Sequence, residues 1–279
     1  MERKLPFGVK DGILVDITQV SGGLACGCVC PACSSPLVAR KGAKTVHHFA
    51  HHSTVQCVGA YQTALHLAAK DIFQKHRKIR LPAVVSATGC GYGGSVTLHS
   101  EQTLVFDEVL LEKKMGNIIP DIILLKGDKK LFVEVAVTHF VDEKKRNAIV
   151  QAGITTLEID LSSLDRDLTL SDLERILVDD LTHKKWIYNT KAALFTHDIS
   201  LFSKEYAVTE RRMALHIDNC PLHMRTYKGK SYANVIDDCF SCKYFFSSRG
   251  DDYNQHTHIG CLGNARAEIE NVIAKHKKS

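Results

Sequence analysis

Ile119-Pro120-Asp121-Ile122-Ile123, followed by Leu131-Phe132-Val133-Glu134-Val135-Ala136-Val137, decides how this chain is read. Both segments read as apolar strands. The first begins with an Asp behind a Pro, and the second carries a Glu at its centre. Lys126-Gly127-Asp128-Lys129 between them reads as a tight hairpin turn, because Gly and Asp tolerate the backbone angles such a turn needs. Two carboxylates on adjacent paired strands can share one divalent cation, the minimal equipment for metal-assisted phosphodiester cleavage. Side chains alternate along a strand, so Glu134, Ala136 and Thr138 share one face, while Val133, Val135 and Val137 share the other. The Val face reads as core under helices, and the Glu face as the wall of a cleft. A Glu among Val and Leu is costly to bury unless it is paired, protonated or metal-bound. A purely structural reading competes: Glu134 pairs with a nearby Lys, and Asp121 follows Pro120 into a turn.

Outward from this pair, Gln62–Lys78 has helical spacing, with Leu65, Ala68, Ala69, Ile72 and Phe73 as its apolar stripe. Gln62, His66 and Lys70 recur every four residues along a neighbouring face. Strands are expected around 82–87, 94–98, 103–112, 118–125 and 130–138. A helix follows over Val141–Gln151 with Gly153 as its end signal, then a strand over 154–160. Strand, short helix and strand in that space imply a parallel crossover. Asp165–Leu181 reads as a further helix, the pattern from Trp186 to about 215 is ambiguous, and the last 60 residues look irregular until a polar helix near 264–277. Near the start, Val9–Leu14 carries an Asp-Gly hairpin signal and Leu37–Val46 reads as a second hairpin. The division expected is 1–60, 61–185 and 186–279.

The 279 residues, 44% hydrophobic and 24% charged, suit a globular chain, and the net charge of +5 allows a polyanionic partner without requiring one. No apolar run reaches the roughly 18 residues of a membrane span. The opening Met-Glu-Arg-Lys-Leu-Pro-Phe-Gly lacks a signal peptide's apolar stretch, so a cytoplasmic location is expected. The ten Cys fall at Cys26, Cys28, Cys30, Cys33, Cys57 and Cys90, and at Cys220, Cys239, Cys242 and Cys261. In a cytosolic chain such clustering argues for metal rather than disulfides.

Cys30-Pro-Ala-Cys33 precedes His47-His48-Phe49-Ala50-His51-His52 by fourteen residues. A CxxC knuckle and a close His pair supply four tetrahedral ligands to zinc, and Cys30, Cys33, His48 and His51 are the expected set. The register within the four His is open, and Cys26 or Cys28 could replace a partner. A closed site of this kind is structural. Cys220, Cys239, Cys242 and Cys261, separated by 18, 2 and 18 residues, form a second four-thiolate set that also reads as zinc. His223, His256 and His258 are possible substitute ligands. Arg225, Tyr227, Lys228, Lys230 and Tyr232 mix charge with aromatics as a nucleic-acid surface does, and as ordinary exposed loops do.

In this order, Cys30-Pro-Ala-Cys33, His48-Phe49-Ala50-His51, a helix with His66 and Lys70, Pro120-Asp121 and Val133-Glu134-Val135 resemble the CoiA-like competence proteins over roughly residues 20–165. The resemblance implies an α/β fold: a PD-(D/E)xK, restriction-endonuclease-like core of α-β-β-β-α-β order behind an N-terminal zinc-ribbon-like module; the cysteine spacing itself adds a C-terminal Cys-rich zinc-binding module. It implies a metal-dependent DNA endonuclease or DNA-processing nuclease in bacterial DNA uptake, recombination or anti-phage defence. Asp121 and Glu134 would hold Mg²⁺ or Mn²⁺ with the Val135 carbonyl, and Gln62, His66 and Lys70 would face substrate. The superfamily's lysine falls at Ala136 here, which leaves Lys144 or Lys145 to replace it. Gln62 stands where some members carry an extra Glu ligand, for which Asp107 or Glu108 could compensate. Some nuclease relatives carry an iron–sulfur cluster, a rival for the C-terminal thiolates. The alternatives are a catalytically inactive nucleic-acid-binding module and a scaffold acting with a protein partner or a second copy of itself.

Overall fold

The computed structural model describes residues 4–53, 57–87, 95–164, 168–250 and 256–278. Cys90, and the expected element starts at 94 and 165, lie outside these. Contacts group the chain into two compact units, Met1–Pro82 with Gln102–Tyr188, and Ala83–Glu101 with Asn189–Ser279.

The first unit opens with the hairpin of β1 (Phe7–Lys10) and β2 (Ile13–Asp16), joined by Asp11 and Gly12. Both turn residues have positive φ, the combination that matches a two-residue loop to the strands' twist. A second hairpin pairs β3 (Leu37–Arg40) with β4 (His48–His51). Helix α1 (Ala60–His76) follows, buried along the stripe that includes Leu65, Ala68, Ala69, Ile72 and Phe73.

Beyond it, β5 (Lys78–Leu81) pairs with β8 (Gln102–Val105), and a separate five-stranded sheet contains β9 (Glu108–Leu111). The strand expected over 103–112 is therefore two strands in two sheets. Phe106 and Asp107 divide it. Phe106 is buried edge-on against Phe73, and the Asp107 carboxylate accepts the Gly127 N–H at 2.8 Å.

The five-stranded sheet runs from β13 (Lys184–Tyr188) through β12 (Thr156–Asp160), β11 (Lys129–Ala136) and β10 (Ile122–Lys126) to β9. β10 and β11 form the antiparallel hairpin turning at Gly127-Asp128. β11 and β12 are parallel and are connected through helix α2 (Glu143–Ala152), which ends at Gly153. Helix α3 (Leu170–Val178) lies between β12 and β13 in sequence.

Both faces of this sheet are core. On one, Ile122, Leu124, Val133, Val135, Leu157 and Ile159 share a cluster with α1, α3 and the N-terminal Leu5, Phe7 and Phe49. On the other, Ile123 and Phe132 pack with Ile149 of α2 and Ile187. Each large side chain so buried contributes about 1.5–3 kcal/mol. Glu134 lies on the α2 face, between Phe132 and Ala136.

The second unit contains the hairpin of β6 (Val84–Ala87) and β7 (Ser95–His99), helices α4 (Thr190–Ser200) and α5 (Arg266–Lys278), and a six-stranded sheet. Its order is β16 (Arg225–Tyr227), β17 (Lys230–Asn234), β15 (Ala214–Asp218), β14 (Lys204–Arg211), β19 (His256–Cys261) and β18 (Phe245–Gly250). All its pairings are antiparallel. The polar C-terminal helix is α5, but the segment expected to be irregular is mostly sheet. The β14–β15 turn carries no Gly signal, because Arg212 and Met213 themselves occupy the left-handed region.

Candidate active site and metal centre

The parallel register sets Glu134 of β11 beside Glu158 of β12, both on the α2 face. Asp121 sits at the foot of β10, where its carboxylate accepts the Val135 N–H at 2.8 Å. These three carboxylates line one cleft of about 170 Å³ together with Gln62, His66, His139, Asp142 and Lys145.

Glu134 is only 4% exposed. Its Oε2 accepts from Lys145 Nζ at 2.6 Å, while its Oε1 is buried with no hydrogen-bond partner. Burial, reinforced by the charge on Asp121, pushes the Glu134 carboxyl up to about 7 against the opposing pull of Lys145. A buried carboxylate with one oxygen unpaired, beside a second carboxylate, is a donor pair of the kind that could hold a hard divalent cation.

Lys145 reaches the cleft from the first turn of α2, whose N-terminus is capped by Asp142 accepting the Lys145 N–H at 2.7 Å. Of the two lysines expected here, Lys144 faces solvent and does not line the cleft. Neighbours on a helix point about 100° apart, so only one of such a pair can face the sheet.

Glu158 was not a sequence candidate. It is 1% exposed, pairs with Lys185 at 2.8 Å, and accepts the Val141 N–H at 2.9 Å. It thereby holds the chain just before α2. The signal for it was a Glu in an apolar parallel strand next to another, which becomes informative only once the register is known.

The helical residues divide. His66 Nε2 bonds the Val135 carbonyl at 2.9 Å, the same carbonyl expected in the metal shell; a carbonyl oxygen has a second lone pair. Gln62 lines the cleft and accepts from Thr138 at 2.7 Å. Lys70, itself buried, instead pairs with the exposed Glu112, which holds the Glu112 carboxyl below its usual range, and it does not line the cleft. Asp107 and Glu108 do not line it either, so no carboxylate from them compensates for Gln62.

The N-terminal ligands meet through the β3–β4 hairpin. A turn closed by Ser34 N–H to the Cys30 carbonyl at 2.9 Å presents Cys30 and Cys33 just before β3. Register pairs Leu37 with His51, which carries His51 back to that turn. Cys57, shortly before α1, completes the group: donor atoms of Cys30, Cys33, His51 and Cys57 all lie within 4.8 Å of one another. Cys30 Sγ and Cys57 Sγ are 3.9 Å apart, and Cys33 Sγ and His51 Nε2 3.4 Å. Two thiolates 2.3 Å from a tetrahedral ion stand about 3.8 Å apart, so this set could bind zinc.

His48 is corrected by Cys57. Residues three apart on a strand face opposite ways, so His48 and His51 of β4 cannot both face the knuckle; His48 Nδ1 bonds the Val46 carbonyl instead. Cys26 and Cys28 are buried bystanders, their thiols directed at the carbonyls of Leu37 and Cys26. Hydrogen bonds from Ser35 hold the Cys33 thiol down near 6, whereas burial lifts Cys57 to about 12.

In the second unit, Cys220, Cys239, Cys242 and Cys261 line one small apolar pocket. Among the described residues, the N-terminal set is the group whose donors meet the 4.8 Å spacing. Of the nearby basic and aromatic residues, Arg225 is engaged by Asp237 and Asp238, and Lys228 lies 5.5 Å from the exposed Tyr227 ring.

Residues 25–59 match the family model described as Competence protein CoiA, N-terminal domain. The match encloses Cys30, Cys33, His51 and Cys57 and supports the CoiA-like resemblance; the cleft lies outside it. No curated protein and no solved structure gives a match. Among the described residues, no helix is long and apolar enough to cross a membrane.

Proposed function

We propose that the chain is a metal-dependent DNA endonuclease or DNA-processing nuclease of the PD-(D/E)xK superfamily, acting in a competence-related pathway. The observation that carries this is the buried Glu134, with one oxygen orphaned, set beside Asp121 and within 2.6 Å of Lys145. The order α1, β9, β10, β11, α2, β12 is that of the superfamily core and adds support. So does the match to the CoiA N-terminal domain.

Asp121 and Glu134 would hold Mg²⁺ or Mn²⁺. When bound, the cation would stabilise charge developing on the phosphate and the leaving oxygen. Lys145 stands in for the lysine absent at Ala136: its ammonium neutralises Glu134 in the resting site and is placed to orient water or balance phosphate charge. His66 fixes the Val135 carbonyl, and Glu158 fixes the start of α2 and hence Lys145. Zinc in the N-terminal knuckle would stiffen the module.

The replacement at Ala136 also favours one specific second reading, a site that binds nucleic acid without cutting it. Cleavage of plasmid and single-stranded DNA with Mg²⁺, Mn²⁺ or EDTA decides between them. The nuclease reading expects metal-dependent cutting by the wild type that is lost in Asp121→Asn, Glu134→Gln and Lys145→Met. DNA binding with no cutting under any metal condition would overturn it in favour of the second.

A further inference from the structure

Three strand ends and one turn of the second unit border one small cavity. Cys220 follows β15, Cys239 and Cys242 follow β17 across a helical turn, and Cys261 ends β19. All four thiols line a cavity of about 20 Å³ whose other walls are Ile217, Leu222, Met224, Ala233, Phe245 and Ile259. Roughly 10–15 Å³ by this measure accommodates one water, so the space suits one atom-sized guest and not a multi-atom iron–sulfur cluster. The apolar wall offers no competing donor: His223, His256 and His258 do not line the cavity, and His256 is held by Ser248 at 2.6 Å.

The surrounding backbone is arranged for thiolates. The amide of Tyr244 donates to Cys242 Sγ at 3.4 Å, and that of Gly263 to Cys261 Sγ at 3.3 Å. Each donor lies two residues after its sulfur. The same contact, Ala32 N–H to Cys30 Sγ at 3.4 Å, recurs in the N-terminal knuckle. A neutral thiol is a weak acceptor, whereas a thiolate sharing a cation carries charge that such amides offset. Gly263 is required by this packing: a Cβ there would stand 2.8 Å from Pro221 Cγ and 3.3 Å from Cys261 Sγ. The chain has been brought tight around the sulfurs on the side of Cys261.

We infer that Cys220, Cys239, Cys242 and Cys261 form a second, closed zinc site with four thiolate ligands, which ties the ends of β15, β17 and β19 together. The inference stands independently of the nuclease reading. Of the three strands, β15 and β17 are paired neighbours and β14 lies between β15 and β19, so the ion would bridge across one strand of the sheet.

Native mass spectrometry and elemental analysis of the full chain test it. Two zinc ions per chain are expected, falling to one in Cys239→Ser with Cys242→Ser, and to one in Cys30→Ser with Cys33→Ser. One zinc in the wild type, lost entirely with Cys30 and Cys33, would overturn the second site. So would iron and sulfide in the wild type, or a mass showing these thiols oxidised to disulfides. Should the C-terminal variant fail to fold, the wild type still decides. After chelation and refilling with Co²⁺, two tetrahedral thiolate spectra per chain support the inference, and one overturns it.

Discussion

The carboxylate cleft and the N-terminal knuckle solve opposite problems within one compact unit. The cleft takes its carboxylates from neighbouring strands of a sheet that is buried on both faces, and leaves one oxygen of Glu134 without a partner. The knuckle takes its ligands from turns and strand ends, and brings four donors within 4.8 Å of one another. An open set on a sheet suits exchange of water; a closed set drawn from turns and strand ends suits structural support. The sheet is held by core on both faces, whereas Cys33 stands exposed at its turn, where a shared ion would fix it.

The largest effect should come from the knuckle. Structural zinc is worth on the order of 10 kcal/mol. Cys33→Ser with Cys57→Ser is therefore expected to release one zinc and lower the melting temperature by roughly 10 °C or more. Unchanged melting, followed by calorimetry alongside zinc content, would erase the distinction just drawn.

Next comes the cleft, where the opposite pattern is expected. Glu134→Gln should cost about 10²–10³-fold in DNA cleavage, as removal of a charge-stabilising group does. It should leave melting in EDTA at pH 8 the same or higher, because a buried charge is removed. A variant that loses activity and stability together would mark Glu134 as a structural residue.

The pH dependence sharpens this. The folded Glu134 carboxyl titrates near 7, above its ordinary value near 4.5, so the metal-free folded state binds more protons across that window. The associated stability is fully present below 4.5 and is lost as pH rises through about 7. Chelated wild type should therefore lose up to a few kcal/mol between those pH values relative to Glu134→Gln. Mn²⁺ affinity should rise over the same interval, since proton and metal compete for one carboxylate. Denaturant titrations of both proteins at pH 5 and 8 measure the first, and Mn²⁺ calorimetry the second.

The smallest effect lies away from both sites. Lys184 is buried in β13 with its ammonium on the Arg80 carbonyl at 3.1 Å, and burial lowers it to about 8. Stability should rise with pH between about 8 and 10.5, where only the unfolded state keeps the proton. Lys184→Met should flatten that slope and add about 1 kcal/mol at pH 7, with cleavage and zinc content unchanged.

Much of the first unit was legible from short-range pattern. The Asp11-Gly12 and Gly127-Asp128 turns, the α1 stripe and the Cys30–Cys33 knuckle depend on neighbours a few residues apart. Legibility failed where the deciding contact is distant or where a local conformation lacks its usual residue signal. The 103–112 segment splits because Phe106 meets Phe73 and Asp107 meets Gly127. The second unit's sheet was hidden because Arg212 and Met213 take a turn conformation normally advertised by Asn or Gly. His48 was a plausible ligand from the spacing of a CxxC knuckle and a close His pair, and β pairing removed it.

The amino-acid order by itself determined the chemistry available: thiols and imidazole near the start, two acidic strands in the middle, four thiols near the end. Local periodicity also determined which segments bury an apolar face. Tertiary structure alone decided the company each group keeps. Parallel register put Glu158 beside Glu134, helix phase chose Lys145 over Lys144, and chain entry into α1 brought Cys57 to Cys30. These choices depend on distances between residues far apart in sequence, which packing and hydrogen-bond register set and no local pattern encodes.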